Sequence, residues 1–374
     1  MSALPEPMET SEAVVLGNAK LVLADRVVEN GWLAVENGRI VELGEGRAPD
    51  ADRDLAGDFL IPGLVELHTD HLETHFVPRP KVKWHALGAV LAYDAQIAAS
   101  GITTVFDSLR VGSDADSASL GAEVQTLAEA IETARQGGFL RAEHRTHLRC
   151  ELSSTDMVEQ LEAFRARFPV HMASLMDHTP GQRQFRDLEL WRRYYTRKTV
   201  LTDAELGFFL EKRKESHRLY AGPHRRALVA LARETGIALA SHDDTTLDHV
   251  AESVEDKVTV AEFPTTLEAA HASHAAGIKV MMGAPNVVRG GSHSGNVAAE
   301  TLAREGILDI LSSDYVPASL LMAAFELPAR VPGISLPEAI RTVTAAPAEA
   351  VGLTDRGALA PGRKADLVRV RLAG

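Results

Sequence analysis

Residues 59–73 read FLIPGLVELHTDHLE, and the pattern of this stretch predicts a buried strand that ends in metal-ligand side chains. Residues 60–67 are almost wholly apolar, as expected for a strand that is buried on both faces of a parallel sheet. The apolar run ends abruptly in His68, Asp70 and His71. His68 and Asp70 are two residues apart, so their side chains point to the same side of an extended chain. Imidazole and carboxylate groups at one strand end can supply half of a divalent metal site.

The same pattern recurs along the chain. Strand alternation in residues 141–152, RAEHRTHLRCEL, places His147, Arg149 and Glu151 on one face. Three later apolar runs end in further ligand-type residues: Asp177 and His178, then His242, Asp243 and Asp244, then Asp314. A buried histidine or a helix-capping aspartate explains any one of these runs alone. Their succession instead favours a (β/α)8 barrel, which gathers its active site at the C-terminal ends of its strands.

Apolar strands alternate with helical stretches through the middle of the chain. Helices are predicted at residues 86–99, 119–136, 154–167 and 223–234. Strands are predicted at residues 60–67, 102–107, 145–151, 173–177, 236–241, 258–263, 278–283 and 308–313. Eight is the number of strands that a closed parallel barrel requires. The predicted fold class is therefore α/β, with a TIM-like barrel at its centre.

Both chain ends show a different, all-β pattern. Residues 13–58 contain short alternating strands, and the pairs Asn30-Gly31 and Asn37-Gly38 favour tight hairpin turns. Residues 357–372 look like a turn followed by another short strand. We therefore predict a small β-sandwich domain of residues 1–58 and 355–374. It would lie beside a barrel domain of residues 59–354.

Composition restricts the partners and the compartment. The 374 residues include 39 Lys and Arg against 52 Asp and Glu, which gives a net charge of -13. This balance argues against nonspecific nucleic-acid binding and against an anionic membrane surface. Cys150 is the only cysteine, so no intrachain disulfide can form, and the N-terminal residues lack a signal-peptide pattern. We expect a cytoplasmic protein that binds neither nucleic acid nor membrane.

Basic residues in three loops predict a pocket for a phosphorylated substrate. Residues 286–296, NVVRGGSHSGN, combine Arg289 and His293 with glycines whose backbone N–H groups can approach phosphate oxygens closely. Two other loops add polar or basic side chains: Arg79, Lys81, Lys83, Gln182 and Arg183. Each loop alone could carry ordinary surface charge. In an acidic protein, however, their combination favours a local phosphate site, because the planar fork of arginine matches phosphate oxygens.

Two motifs near opposite ends of the chain, PGLVELHTD at 62–70 and GRKADLV at 362–368, resemble the amidohydrolase superfamily. Barrels of that superfamily hold one or two divalent metals, and their terminal segments form a flanking β-sandwich. Further motifs resemble the diphosphatases of the superfamily that act on sugar triphosphates: SLMDHTPGQRQF at 174–185, SHDDTT at 241–246 and MGAPNVVRGGSHSGNVAA at 282–299. The resemblance covers nearly the whole chain.

The resemblance also implies roles for individual residues. The implied metal ligands are His68, Asp70, Glu151, His178, His242 and Asp314. The implied substrate ligands are Arg79, Lys81, Arg149, Gln182, Arg183, Arg289 and His293. Asp314 would be catalytic as well, taking a proton from the attacking water. We expect one or two zinc ions, with manganese or iron as alternatives, because Asp70 and Glu151 supply the oxygen ligands that harder ions favour.

Three functions remain open from the sequence. The resemblance implies metal-dependent hydrolysis of a ribose 5-triphosphate that carries a methylphosphonate at C1, which yields the 5-phosphate and pyrophosphate in phosphonate catabolism. A cyclic amidase or deaminase is the alternative on the same barrel, but Arg79, Arg183 and Arg289 do not suit a neutral ring. A metal-free assembly protein is the third. The clustered charged ligands argue against it, because without a cation they would destabilise the fold electrostatically. Barrels of this kind often associate, so we expect a homo-oligomer.

Overall fold

The computed structural model describes residues 13–48, 50–80, 82–113, 123–185, 188, 191, 202–292 and 295–373. Two of the predicted substrate ligands, Lys81 and His293, lie outside these ranges. Their roles therefore stay predictions.

The described residues form strands and helices that alternate through the middle of the chain. The strands are β1 (Val14–Val22), β2 (Val27–Glu36), β3 (Arg39–Glu45), β4 (Arg53–Asp54), β5 (Phe59–Pro62), β6 (Leu64–Thr69), β7 (Ile102–Val111), β8 (Glu143–Glu151), β9 (Met172–Met176), β10 (Ala238–His242), β11 (Val260–Glu262), β12 (Lys279–Gly283), β13 (Ile310–Ser312) and β14 (Leu367–Val370). The α-helices are His71–Phe76, Ala86–Ala99, Val124–Gln136, Met157–Arg165, Asp203–Thr235, Leu247–Glu255, Leu267–Ala275, Ala284–Arg289, Ala299–Arg304, Ser319–Arg330, Leu336–Arg341 and Ala345–Ala350. A short 3₁₀ helix covers Arg183–Phe185.

Strands β6 to β13 form one sheet in which each strand pairs in parallel with its neighbours in sequence. A parallel bridge between Thr69 and Asp314 brings the first and last strands of this sheet together. The sheet is therefore a nearly closed eight-stranded barrel, which confirms the predicted fold class. All C-terminal strand ends meet at one mouth.

Side chains in the barrel interior change from apolar to polar along the strands. One buried cluster takes residues from seven of the eight strands: Val65, Leu67, Phe106, Met172, Ala240, Val260, Met281 and Ile310. On β7, β9, β10, β11 and β13 the side chain two residues further along is polar: Ser108, Ser174, His242, Glu262 and Ser312. Because residues two apart share a face, an apolar floor lies below a polar layer nearer the barrel mouth.

Both chain ends meet in a second sheet of six strands. Its main path runs β14, β5, β1, β2 and β3, and β4 pairs with β1. β14 is antiparallel to β5, with Leu367 opposite Pro62. This arrangement confirms the predicted β unit built from both chain ends. The predicted domain boundaries stay a prediction. β5, residues 59–62, was assigned to the barrel domain but pairs with the terminal sheet.

An ion-pair group connects the C-terminal segment to the start of β8. Arg356 Nη1 donates to Glu143 Oε2 at 2.7 Å and to Thr104 Oγ1 at 2.8 Å, and Lys364 Nζ donates to Glu143 Oε2 at 3.0 Å. Burial by itself would raise the pKa of Glu143, but these cations outweigh it and hold the pKa at about 2. The group thus couples the terminal sheet to the end of the barrel opposite the mouth.

The helix Asp203–Thr235 supports the loops that follow β8 and β9. Ser216 Oγ donates to the carbonyl of Ser153 at 2.8 Å, and His224 Nδ1 donates to the carbonyl of Leu152 at 3.0 Å. His217 Nδ1 lies 2.7 Å from Asp177 Oδ2. None of the described helices combines the length and the apolar character needed to cross a membrane.

Candidate metal centre and active site

His68, His242 and Glu262 converge inside the barrel from β6, β10 and β11. One ligand atom of each residue lies within 4.8 Å of the others, and all three residues are buried. Glu262 Oε1 is 3.0 Å from His68 Nδ1, and Glu262 Oε2 accepts a hydrogen bond from His242 Nδ1 at 3.0 Å. Two imidazoles and a carboxylate are a donor set typical of a transition-metal site.

The electrostatics of this group fit a divalent cation. Although 3.0 Å apart, His68 Nδ1 and Glu262 Oε1 are buried atoms without a hydrogen-bond partner in the described part of the chain. Such atoms are costly unless a cation or a water binds them. Burial by itself would raise the pKa of Glu262, but the charges of His68 and His147 and the hydrogen bond from His242 hold it well below its usual range. The carboxylate is therefore ionised and ready to bind a metal.

A second group shares His242 with the first. Ligand atoms of His178, His242 and Asp243 also lie within 4.8 Å of one another. His178 Nδ1 donates to Glu151 Oε2 at 2.6 Å, and Glu151 Oε1 accepts from Ser153 Oγ at 2.8 Å. Glu151 Oε1 also accepts from the backbone N–H of His178 at 3.1 Å, so both oxygens of Glu151 contact His178. Two groups with a common member could hold one or two metal ions.

The buried carboxylate of Glu66 fixes the position of His68. Its Oε1 accepts hydrogen bonds from the backbone N–H of His68 and from Ser312 Oγ, both at 2.7 Å. Its other oxygen accepts from the backbone N–H of Ser313. Glu66 thus ties the first barrel strand to the last, directly below the metal group.

The structure brings some of the predicted metal ligands together and separates others. His68, His178 and His242 lie in the two donor groups, and Glu151 touches His178. Asp70 instead forms an ion pair with Arg149, whose Nη1 lies 2.8 Å from Asp70 Oδ2. The burial of Asp314 and the charge of Asp70 raise the pKa of Asp314, which lies at the end of β13 beside Thr69. Metal binding by Asp70, Glu151 and Asp314 stays a prediction.

Sequence reasoning missed Glu262. This glutamate is the next-to-last residue of the strand predicted at 258–263, so the rule applied to the other strand ends would have found it. It also left His147 undecided between substrate contact and barrel packing. His147 is wholly buried, with Nδ1 2.8 Å from the carbonyl oxygen of Leu67 and Nε2 against Ser174 Oγ. Ser174 Oγ is in turn 2.8 Å from Glu262 Oε2, so His147 supports the metal group from below.

Three strand ends at the mouth have strained backbones. The residues are Asp243 after β10, Phe263 after β11 and Asp314 two residues after β13. Their φ angles are +56°, +55° and +53°. A left-handed conformation costs a residue other than glycine about 1–3 kcal/mol. Backbone hydrogen bonds of 2.9 Å from Asp243 to Glu262 and from Phe263 to Met281 stabilise two of these turns. Strain of this kind clusters where side chains must be aimed at a site.

The predicted phosphate ligands lie in different environments. Arg183 is buried, forms an ion pair with Asp244 and donates to the carbonyl of His242 at 3.2 Å. Arg149 is buried against Asp70, and Gln182 is half-buried in a turn. The remaining two described ligands are exposed: Arg79 lies in a loop and Arg289 ends the helix Ala284–Arg289. Substrate binding by all of these residues stays a prediction.

A family model described as the amidohydrolase family matches residues 95–371. The chain belongs to the amidohydrolase family. A relative from Escherichia coli (strain K12), alpha-D-ribose 1-methylphosphonate 5-triphosphate diphosphatase, is 49% identical to this amidohydrolase over 358 residues. The aligned region covers 95% of this chain and 94% of the relative. These matches confirm the resemblance inferred from the motifs.

Solved structures with low sequence identity share the fold of this amidohydrolase. N-acetyl-D-glucosamine-6-phosphate deacetylase from Mycobacterium smegmatis superimposes with a TM-score of 0.61 at 18% identity, covering 95% of this chain and 94% of that one. N-isopropylammelide isopropylaminohydrolase from Burkholderia multivorans gives 0.61 at 19% identity, covering 96% and 92%. At these identities the similarity shows the architecture alone.

Proposed function

We propose that this amidohydrolase hydrolyses alpha-D-ribose 1-methylphosphonate 5-triphosphate to the 5-phosphate and pyrophosphate, with a divalent metal. The geometry supports metal-dependent hydrolysis, since His68, His242 and Glu262 bring buried imidazole and carboxylate donors together at the barrel mouth. The substrate rests on one observation, the 49% identity to the Escherichia coli diphosphatase over 95% of the chain. The reaction would belong to phosphonate catabolism.

His68, His242 and Glu262 would hold one metal ion, and His178 and Asp243 would contribute to a second; His242 would serve only one of the two, because a neutral imidazole binds one ion. Bound there, a divalent cation would activate a water molecule and neutralise charge on the phosphoryl oxygens. We propose zinc, with manganese or iron as alternatives, because imidazole nitrogens suit all three and carboxylates suit the harder ions. The predicted ligands Asp70, Glu151 and Asp314 remain further proposals for the same centre.

The chain's own residues would handle the proton and the substrate. Water oxygen forms a bond to phosphorus while a phosphoanhydride bond breaks and pyrophosphate leaves. Asp314, at the barrel mouth, would take the proton that the water loses. Cationic side chains would orient the triphosphate: the buried Arg149 and the exposed Arg79 and Arg289.

We further propose that the protein works as a cytoplasmic homo-oligomer without nucleic-acid or membrane partners. The excess of acidic residues supports the proposed lack of nucleic-acid and membrane partners, because a net charge of -13 repels polyanions and anionic lipid surfaces. Sedimentation analysis would test the oligomeric state. A monomer at micromolar concentration would refute it.

Phosphorus NMR tests the proposed reaction. The metal-loaded protein is incubated with alpha-D-ribose 1-methylphosphonate 5-triphosphate, and a sample stripped with a chelator serves as the control. We expect pyrophosphate and the 5-phosphate to appear only in the metal-loaded sample. An unchanged spectrum, with bound metal verified by elemental analysis, would refute the proposal and favour a cyclic-amide or deaminase substrate.

A further inference from the structure

Arg110 and Arg149 occupy paired positions on the neighbouring strands β7 and β8. The register is the same one that pairs Ser108 with His147, two residues earlier on each strand. Ser108 Oγ lies 3.1 Å from His147 Nδ1 inside the barrel. Since residues two apart on a strand share a face, both arginines also face the interior, one level closer to the mouth. Neighbouring strands are about 4.8 Å apart, so the two arginine side chains leave the sheet from adjacent positions.

Two carboxylates from the segment after β6 neutralise this pair. Arg149 Nη1 lies 2.8 Å from Asp70 Oδ2, and Arg110 Nε lies 4.0 Å from Glu73 Oε1. The Arg149 side chain is 9% exposed, whereas that of Arg110 is 23% exposed and thus accessible from the mouth. Asp70 is two residues from His68, so the arginine pair lies beside the proposed metal centre.

We propose that Arg110 and Arg149 form a two-arginine clamp that binds phosphoryl oxygens of the triphosphate next to the metal centre. Arg110 thereby joins the substrate ligands, and the inference rests on the proposed function. Two adjacent guanidinium groups repel one another unless anions lie close by. Before substrate binds, the carboxylates of Asp70 and Glu73 are these anions. A phosphoryl group can replace these carboxylates, because each planar guanidinium can donate paired N–H···O bonds to phosphate oxygens.

The position of the clamp assigns it to one end of the substrate. The proposed substrate has two anionic ends, the triphosphate and the methylphosphonate. Arg110 and Arg149 are paired on β7 and β8, and Arg149 contacts Asp70, two residues from His68 of the proposed metal centre. The reacting anhydride must lie at the metal centre, and the clamp adjoins that centre through Asp70. It therefore takes the triphosphate, and the methylphosphonate points away from it.

The test compares Arg110→Gln and Arg110→Lys with the control Arg145→Gln. Arg145 lies on β8, pairs with Glu143 at 2.7 Å and is 25% exposed, so it matches Arg110 in type and exposure but not in position. We measure kcat/KM on the proposed substrate and on ribose 5-triphosphate, which lacks the phosphonate. Loss of charge-assisted hydrogen bonds should lower kcat/KM of Arg110→Gln on the order of 10- to 100-fold on both substrates. Arg110→Lys should lose less, because it keeps the charge but not the fork.

Metal content and melting temperature of each variant separate a binding defect from misfolding, and both should match those of the wild type. A loss confined to the substrate with the phosphonate would overturn the assignment to the triphosphate. Wild-type kinetics for Arg110→Gln on both substrates would overturn the clamp. If the wild type itself releases no pyrophosphate, the proposed function fails, and calorimetry with inorganic pyrophosphate decides the clamp separately: equal affinity of metal-loaded wild type and Arg110→Gln would refute it.

Discussion

The carboxylates at the barrel mouth differ in how each uses its two oxygens. Both oxygens of Glu151 accept hydrogen bonds, from His178 and Ser153. Asp70 accepts a hydrogen bond from Arg149. Glu262 is different, since one of its oxygens has no hydrogen-bond partner among the described residues and faces His68. The sequence predicted the histidines of the centre because each follows an apolar run. It could not rank the carboxylates, because their roles depend on partners that are distant along the chain.

Glu262→Gln should weaken metal binding at least 10-fold, because the amide keeps the shape of the side chain but removes the charge that two imidazoles surround. Metal affinity measured by competition with a chromophoric chelator checks this. Glu143→Gln is the control, since Glu143 begins β8 at the opposite end of the barrel. Equal metal affinity in wild type and Glu262→Gln would show that Glu262 is not a ligand.

Asp314→Asn should retain the fold and lower kcat by about 100-fold or more, since removal of a general base typically costs that much. Asparagine tolerates the left-handed backbone at this position, where φ is +53°, so the substitution isolates the loss of the proton acceptor. Steady-state assays of pyrophosphate release with metal content held equal would measure it. Turnover close to that of the wild type would remove Asp314 from the mechanism.

At the scale of secondary-structure elements, all eight barrel strands were predicted, but the first was wrong in extent. The apolar run 60–67 is divided between β5 in the terminal sheet and β6 in the barrel. Periodicity cannot detect this division, because both pieces are buried. The helix predicted at 223–234 is the end of Asp203–Thr235. Pro223 was interpreted as a helix start, where proline is common, yet it lies within the helix.

Gly63→Ala should destabilise the protein by about 1–3 kcal/mol, the usual cost of overpacking. A Cβ at residue 63 would lie only 2.9 Å from Thr103 Cβ and closer still to the rest of that side chain, at the point where β5 ends and β6 begins. Urea unfolding measures the effect. The control is Gly207→Ala in the helix Asp203–Thr235, where a Cβ would meet no atom within 4 Å. An equal free energy of unfolding for both variants would contradict this packing.

At the scale of the whole molecule, the terminal sheet and the barrel are joined by contacts that local sequence patterns do not reveal. The pattern of residues 357–372 predicted a C-terminal strand, and that strand pairs with β5. Nothing in local composition showed that Arg356 and Lys364 would meet Glu143, which is more than 200 residues away. These residues become neighbours only when the chain has folded into the closed barrel.

The pairing of Glu143 predicts an acid-sensitive contribution to stability. Its pKa is about 2 in the folded protein against 4.5 for the free side chain, so the contribution is fully present above about pH 4.5 and is lost as the pH falls towards 2. Glu143→Gln should cost about 1–2 kcal/mol at pH 7, after allowance for solvent screening. Urea unfolding of both proteins at pH 7 and pH 3.5 measures the difference, which should shrink at the lower pH. A constant difference would contradict the ion-pair account.

The central claim is that the donor groups around His68, His242 and Glu262 hold a catalytic metal for phosphoanhydride hydrolysis. Its most direct test is pyrophosphate release from alpha-D-ribose 1-methylphosphonate 5-triphosphate by metal-free protein as divalent metal is added stepwise. We expect turnover to rise with added metal and to reach a plateau at one or two equivalents per chain. Pyrophosphate release that does not depend on metal, or none at saturating metal, would contradict it.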